Sequence, residues 1–209
     1  MPLRPTTISA TGFVRLGLFL VLGGCASGEF PDEALDEEEL VERAGATVAD
    51  SATFCQAWNG RQVVILTDFG NAVRAGENLH SPVQHDNENI GPPNDETWKV
   101  PYRWNVECRT VGGQQVVNFR KPVSGNYLST ANYPAVMTVA GNADTFANLM
   151  VRRVSCNPSA YRISGKIPGE GGYRPMVASL TTQDPPEGPL LVSPAPGATG
   201  TRFTFDVAP

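Results

Sequence analysis

The sequence predicts an all-β domain built from three similar units of about fifty residues each that share one core. From Cys55 onward, short runs of Val, Ile, Thr and aromatic residues alternate with clusters of Gly, Pro, Asn and Asp, and no stretch keeps a 3.6-residue period. Landmark residues recur at matched spacings along that stretch. About 155 residues are enough for one hydrophobic core, whereas fifty are too few to bury their own apolar face.

The chain opens with Arg4 and Arg15 ahead of the apolar run Leu16-Gly17-Leu18-Phe19-Leu20-Val21-Leu22, followed by small residues and a cysteine. This is the layout of a signal peptide, and the run falls short of the roughly 20 apolar residues that span a bilayer. Its end, Leu22-Gly23-Gly24-Cys25, resembles the lipobox of bacterial lipoproteins. The resemblance implies cleavage before Cys25, a diacylglyceryl thioether on the Cys25 sulfur and an acylated new N-terminus. Two or three lipid chains anchor firmly where a single chain holds only marginally. Ala26 after the cysteine resembles cargo sent to an outer membrane. The expected location is therefore the bacterial cell envelope, at the outer membrane, with the lipid as the only membrane contact.

Next comes a change of composition. Glu29, Asp32, Glu33, Asp36, Glu37, Glu38, Glu39 and Glu42 fall within fourteen residues that contain no Lys or Arg. Like charges keep such a segment solvated and extended, so residues 25–53 read as an acidic linker between a signal peptide at 1–24 and a domain at 54–209, with room for a short helix at 35–44. The net charge of −5 belongs to this linker, because twelve acids and thirteen bases lie beyond residue 50. A near-neutral domain offers no basic stripe of the kind nucleic acid requires.

Within the domain, Cys55-Gln56-Ala57-Trp58-Asn59-Gly60-Arg61-Gln62-Val63-Val64 matches Cys108-Arg109-Thr110-Val111-Gly112-Gly113-Gln114-Gln115-Val116-Val117, with the cysteine eight residues before the first Val in both. Asn94-Asp95-Glu96-Thr97-Trp98 matches Asn142-Ala143-Asp144-Thr145-Phe146, and a cysteine follows each aromatic by ten residues, at Cys108 and Cys156. A third unit runs from Cys156 through Tyr161-Arg162-Ile163 to Thr201-Arg202-Phe203-Thr204-Phe205-Asp206-Val207. The units are thus 55–107, 108–155 and 156–209. Each holds a Gly-containing turn before an apolar position: Gly70-Asn71-Ala72-Val73, Gly125-Asn126-Tyr127-Leu128, and Gly172-Tyr173 followed by Met176-Val177. Trp98, Phe146 and Phe203 read as threefold equivalents in one core layer.

Three four-stranded units of this length resemble the β-trefoil, in which six strands close a barrel and three hairpins cap one end. Closure also removes sheet edges that invite aggregation. The stretch Val116-Val117-Asn118-Phe119-Arg120-Lys121-Pro122-Val123-Ser124-Gly125-Asn126-Tyr127-Leu128-Ser129 resembles the fascin and ricin-type lectin-like group, whose recurring phrase is a strand, a polar turn and Tyr-Leu. The resemblance places Cys55, Cys108 and Cys156 at the junctions between units, near the barrel end opposite the cap. With Cys25 lipidated, three cysteines remain in an oxidising compartment, so one disulfide and one buried thiol are expected, and all three pairings stay open.

No catalytic motif is present: there is no Gly-x-Ser-x-Gly, no His-Glu-x-x-His and no phosphate loop, and the adjacent pair Asp95-Glu96 would splay apart on a turn. An enzyme is not expected, nor is a cofactor. The two histidines, His80 and His85, stand with Asp86 and Glu88 in a Gly- and Pro-rich stretch that makes the first unit about five residues longer than the second. Their spacing does not suit a helical metal pair, so they read as a solvated loop and no metal site is expected. Gln56-Ala57-Trp58 spells the Gln-x-Trp of ricin-type lectins, but it opens a unit where the lectin motif closes one, and its counterparts lack it. Trp58 is therefore expected to pack on the barrel end.

What remains is a binding module. Sugar sites combine an aromatic face for the apolar side of a ring with carboxylates and amides for its hydroxyls. On the first turn Asp68, Phe69 and Asn71 fit that chemistry, on the second Asn126 and Tyr127, and on the third Tyr173, for a polysaccharide or glycan partner. Asp68 and Asn71 are also residues that any tight turn would favour. The alternative is a protein-binding domain, in the style of protease inhibitors or surface adaptors, that uses the 76–97 loop and the Pro-rich 184–189 segment as rigid arms.

Overall fold

The computed structural model describes residues 51–86, 100–139, 145–156, 159–179, 188–195 and 198–208. The signal peptide, Cys25, the linker up to residue 50, the aromatic landmark Trp98 and residues 184–187 of the Pro-rich segment lie outside the described residues, as do Glu88, Asp95 and Glu96. Among the described residues, a helical turn at 51–58 is followed by twelve strands. They are β1 (Gln62–Thr67), β2 (Ala72–Arg74), β3 (Gln84–Asp86), β4 (Arg103–Val111), β5 (Gln114–Arg120), β6 (Tyr127–Ser129), β7 (Met137–Val139), β8 (Met150–Cys156), β9 (Ser159–Lys166), β10 (Tyr173–Ala178), β11 (Gly188–Val192) and β12 (Phe203–Val207).

Six strands form a closed barrel through the antiparallel pairs β1–β4, β4–β5, β8–β9, β9–β12 and β12–β1. The circuit is completed where Val117 on β5 and Leu149 just before β8 exchange two backbone hydrogen bonds of 2.9 Å. Apolar side chains alternate inward, as in Val63 and Ile65, Trp104 and Val106, Val117 and Phe119, and Tyr161 and Ile163. The β4–β5 connection is a two-residue turn at Gly112 and Gly113, with φ of 57° and 82°. Positive φ at both central residues twists a hairpin in the same sense as its strands, and glycine reaches it without a Cβ clash.

The short strands pair as β2–β3, β6–β7 and β10–β11 and meet one another at one end of the barrel. There the Val83 N–H donates to the Val136 carbonyl (2.9 Å), Val136 to Leu190 (3.1 Å) and Leu190 to Val83 (2.9 Å). This ring of three buried residues, one from each unit, marks a pseudo-threefold axis. The architecture is a β-trefoil, as the repeat spacing predicted.

The opposite end is closed by the helical turn. Phe54 is fully buried and meets Tyr161 and Phe205 at ring-centroid distances of 5.1 and 4.9 Å, with Phe119 at 6.4 Å. Trp58 stacks on Phe54 and so packs on the barrel end, as the sequence suggested. The Ser51 hydroxyl donates to the Val151 carbonyl (3.2 Å) and accepts from its N–H (3.1 Å), which places Ser51 within the folded domain. Cys55 and Cys108 form a disulfide with Cα atoms 5.9 Å apart. The expectation of a buried thiol fails, because Cys156 is exposed at the end of β8.

The expected aromatic layer also needs correction. Phe146 is only half-buried, and its carbonyl accepts bonds from the Thr130 N–H (3.2 Å) and hydroxyl (3.1 Å). The residue that faces β5 in the core is Leu149, in the role that Trp104 plays opposite β1 and Phe203 opposite β9. The matched motif ends in an aromatic, but the strand itself starts four residues later, at Met150.

Candidate functional site

The three hairpins that join barrel to cap differ in what they expose. In each, a residue at the end of the barrel strand pairs with the first residue of the cap strand: Leu66, the last but one of β1, with Ala72, Arg120 with Tyr127, and Lys166 with Tyr173. Two of the three thus carry a cation beside a tyrosine, with the Arg120 guanidinium carbon 5.8 Å and the Lys166 Nζ 5.4 Å from the ring centroids. Such pairs are attractive because the face of an aromatic ring is electron-rich.

Around Tyr127 the pair becomes a polar constellation. The tyrosine hydroxyl donates to Glu107 Oε2 (3.0 Å), and Arg120 Nη1 donates to Glu107 Oε1 (3.2 Å). Arg120 Nε is fixed on the Gly125 carbonyl (3.3 Å). β4 presents Glu107 and Arg109 on its outer face because Trp104 and Val106 take the inner one, and Arg109 bonds Asn148 Oδ1 at 2.7 Å. Burial, then the hydrogen bond and charge of Glu107, raise the Tyr127 pKa, so the phenol is a neutral donor at physiological pH. Glu107, Arg109, Arg120 and Asn148 were not singled out in the sequence. Alternation along β4 and β5 carried the only signal, since it puts Glu107 and Arg120 on the solvent side.

The other sequence candidates separate into exposed and internal groups. Asp68 and Phe69 are exposed at the tip of the β1–β2 turn, Phe69 at 47%. Asn71, at 1% exposure, points inward instead, and its amide lies 3.0 Å from His85 Nδ1. Asn126 is buried too, its amide donating to the Glu77 carbonyl (2.9 Å). Both asparagines act as turn braces that leave little for a ligand. Tyr173 is half-buried, and burial raises its pKa. Beside it Glu170 forms an ion pair with Arg174.

The histidine stretch is more structured than expected. His80 is exposed, but His85 is fully buried on β3, where Nε2 donates to the Ser179 carbonyl (2.8 Å), fixing the tautomer in which Nδ1 accepts from Asn71. Asp86, also on β3, takes the Tyr102 hydroxyl (2.9 Å) and pairs with Arg74. This segment is a cap strand because its backbone is needed to pair with β11 in the third unit. Among the described residues, no three His, Cys, Asp or Glu side chains gather as metal ligands, and no helix is long and apolar enough to cross a membrane.

No protein-family model matches the chain, and no curated protein is similar to it. Among solved structures, it is similar to the BEL beta-trefoil, with 16% identity, a TM-score of 0.52 and coverage of 71% of this chain and 94% of that one. It also aligns with the ricin B-like lectin of Macrolepiota procera solved with lactose (16% identity, TM-score 0.47, 71% and 96% of the two chains). A lectin of Polyporus squamosus bound to a sialylated epitope gives 14% identity and a TM-score of 0.49, over 71% of this chain and 49% of that one. The likeness to the first of these agrees with the β-trefoil fold read from the barrel and cap.

Proposed function

We propose that this protein is a carbohydrate-binding module held on the bacterial cell envelope by lipid on Cys25, with its hairpin faces as the sugar sites. The observation that carries the reading is the Tyr127, Glu107 and Arg120 constellation. A half-exposed ring offers a surface for the apolar side of a sugar. The Glu107 carboxylate has about four acceptor positions, of which Tyr127 and Arg120 use two, so others remain for hydroxyl donors. All three side chains are held in place before a ligand arrives, which lowers the entropy lost on binding. Asp68 and Phe69 on the first hairpin and Tyr173 on the third are further contact points.

The test is to probe the mature protein on a glycan and polysaccharide array, with Tyr127→Ala and Glu107→Gln beside the wild type. Specific binding that falls about tenfold or more in either variant supports the reading. A blank from folded protein overturns it in favour of a protein partner reached through the loops. The anchor has its own test: mass spectrometry of membrane-extracted protein should find lipid on Cys25, and Cys25→Ser should release the protein into the soluble fraction. A mature chain whose Cys25 sulfur is held in a disulfide would overturn the anchor.

A further inference from the structure

We propose that the barrel end opposite the cap is a membrane-docking surface, which seats the domain on the lipid bilayer that holds its anchor. The inference rests on the lipid-anchor reading above and adds a second, non-covalent contact. The described chain begins at this end, where the Ser51 hydroxyl is fixed on the Val151 backbone, so the tether from Cys25 joins the domain here. The end consists of the helical turn and its exit at 51–61, the tip of the β4–β5 hairpin at 110–115, the facing ends of β8 and β9 at Cys156 and Ser159, and Val207 with Ala208. Among these residues Arg61 is the single charged side chain, and all twelve acids beyond residue 50 lie elsewhere in the sequence.

Apolar side chains stay open to solvent there. Val111, beside the Gly112-Gly113 turn, is 46% exposed and Val207 is 57% exposed. Val207 follows Phe205 on one side of β12, and the Trp58 ring lies 5.8 Å from that of Phe205, so this valine and the tryptophan share a patch. The Arg61 guanidinium carbon stands 5.9 Å from the Trp58 ring centroid. A tryptophan with an arginine beside it suits the headgroup layer, where the ring meets the acyl boundary and the guanidinium reaches lipid phosphate. The Cys55–Cys108 disulfide and the bond from the Cys108 N–H to Asn59 Oδ1 join hairpin and helical turn into one rigid piece. A patch this small binds lipid weakly by itself, but the tether changes the balance. Residues 26–50 span about 25–30 Å as a flexible coil, and more when like charges extend them, which holds the domain near the bilayer at about millimolar effective concentration. Seating on this end leaves Tyr127 and Tyr173, on the hairpins that lead to the cap, turned away from the membrane.

The test places the full mature protein, lipid included, in vesicles of phosphatidylethanolamine and phosphatidylglycerol whose acyl chains carry bromine, a contact quencher of tryptophan. Quenching of Trp58, read as the difference between wild type and Trp58→Phe, is expected. It should be lost when Val111→Asp and Val207→Asp are combined, retained in Val111→Leu, and weakened by salt and by Arg61→Gln. Thermal unfolding checks that the aspartate pair is folded, and Val111→Asp alone takes its place if it is not. No quenching of Trp58 in the wild type, or quenching that persists in a folded aspartate variant, would overturn the inference while lipid on Cys25 leaves the anchor reading intact. A dimer in detergent solution that comes apart in the aspartate variant would assign the patch to a second copy of the chain and overturn it too. If Cys25 carries no lipid, the anchor reading fails by itself, and co-sedimentation of the protein with the same vesicles decides the surface. Binding that falls about tenfold in the aspartate pair would uphold it, and absence of binding would overturn it.

Discussion

Lys121 shows how one residue can hold three segments together. Its side chain is fully buried, and Nζ donates to the carbonyls of Val100 (2.9 Å), Pro101 (2.8 Å) and Arg103 (3.2 Å). It also lies 3.5 Å from Glu77 Oε1 and 4.7 Å from the Trp104 ring centroid. Glu77 in turn accepts the Ser124 N–H (2.7 Å), so the lysine ties the start of β4, the β2–β3 loop and the β5–β6 turn into one knot. Desolvation outweighs the pull of Glu77 and lowers the Lys121 pKa to about 8 from 10.5. Below about pH 8 both folded and unfolded chains hold the proton and this group adds no pH dependence. Between about 8 and 10.5 the unfolded chain binds more protons, so stability rises with pH, by at most about 1.4 kcal/mol per unit. Urea unfolding of wild type and Lys121→Met should therefore show a gap of about 2–4 kcal/mol at pH 7, from orphaned carbonyls and an unpaired Glu77, that widens toward pH 10. A gap that stays constant with pH would refute the lowered pKa. In the sequence Lys121 was one letter of a polar turn, because nothing local signals that a lysine will be covered from both sides by distant loops.

At the scale of elements, the helical turn at 51–58 is the part of the fold that patterning did not reveal. It is too short to show a helical period, and it was assigned in part to the linker; the phenylalanine that fills the barrel end precedes the repeat landmark by one residue. The barrel strands were legible because alternation and the equal cysteine spacings are local or repeated signals. Barrel-end closure is neither. Three ties hold the plug: Ser51 on the Val151 backbone, Phe54 in the aromatic cluster, and the Cys55–Cys108 disulfide, with the Cys108 N–H also bonded to Asn59 Oδ1 (2.9 Å). Phe54→Ala should cost about 3–5 kcal/mol and replacement of both cysteines by serine about 2–5 kcal/mol. Because both changes act on one docked element, the triple variant should lose clearly less than their sum. Additive losses in denaturant unfolding would mean that the disulfide and the phenylalanine stabilise separate parts of the domain. The same limit explains the candidate site. Tyr127 and Tyr173 were visible as turn aromatics, but pairing them with Arg120 and Lys166 needs the hairpin register, and Glu107 joins from a strand that the turn does not contain.

At the scale of the whole molecule, a threefold repeat can be stable in two ways. In an open solenoid each repeat touches only its neighbours, so terminal repeats fray and local unfolding is common. Here β12 pairs with β1, and the ring of Val83, Val136 and Leu190 takes one donor and one acceptor from each unit. Opening any one unit breaks two of the three ring bonds and two barrel seams, so no unit has a cheap route to unfold alone. Close packing between units adds to this: a Cβ on Gly165 of the third unit would clash with Thr130 Cγ2 of the second. Native-state hydrogen exchange should consequently give the Val83, Val136 and Leu190 amides one common opening free energy, equal to that of global unfolding, despite their positions in different units. The amides of β9 and β12 should join the same class. If the third unit exchanged at an opening free energy lower by more than about 1 kcal/mol, the three units would be only loosely coupled. The shared core argued from unit size would then be a stack of separable parts, each stabilised mainly by its own contacts.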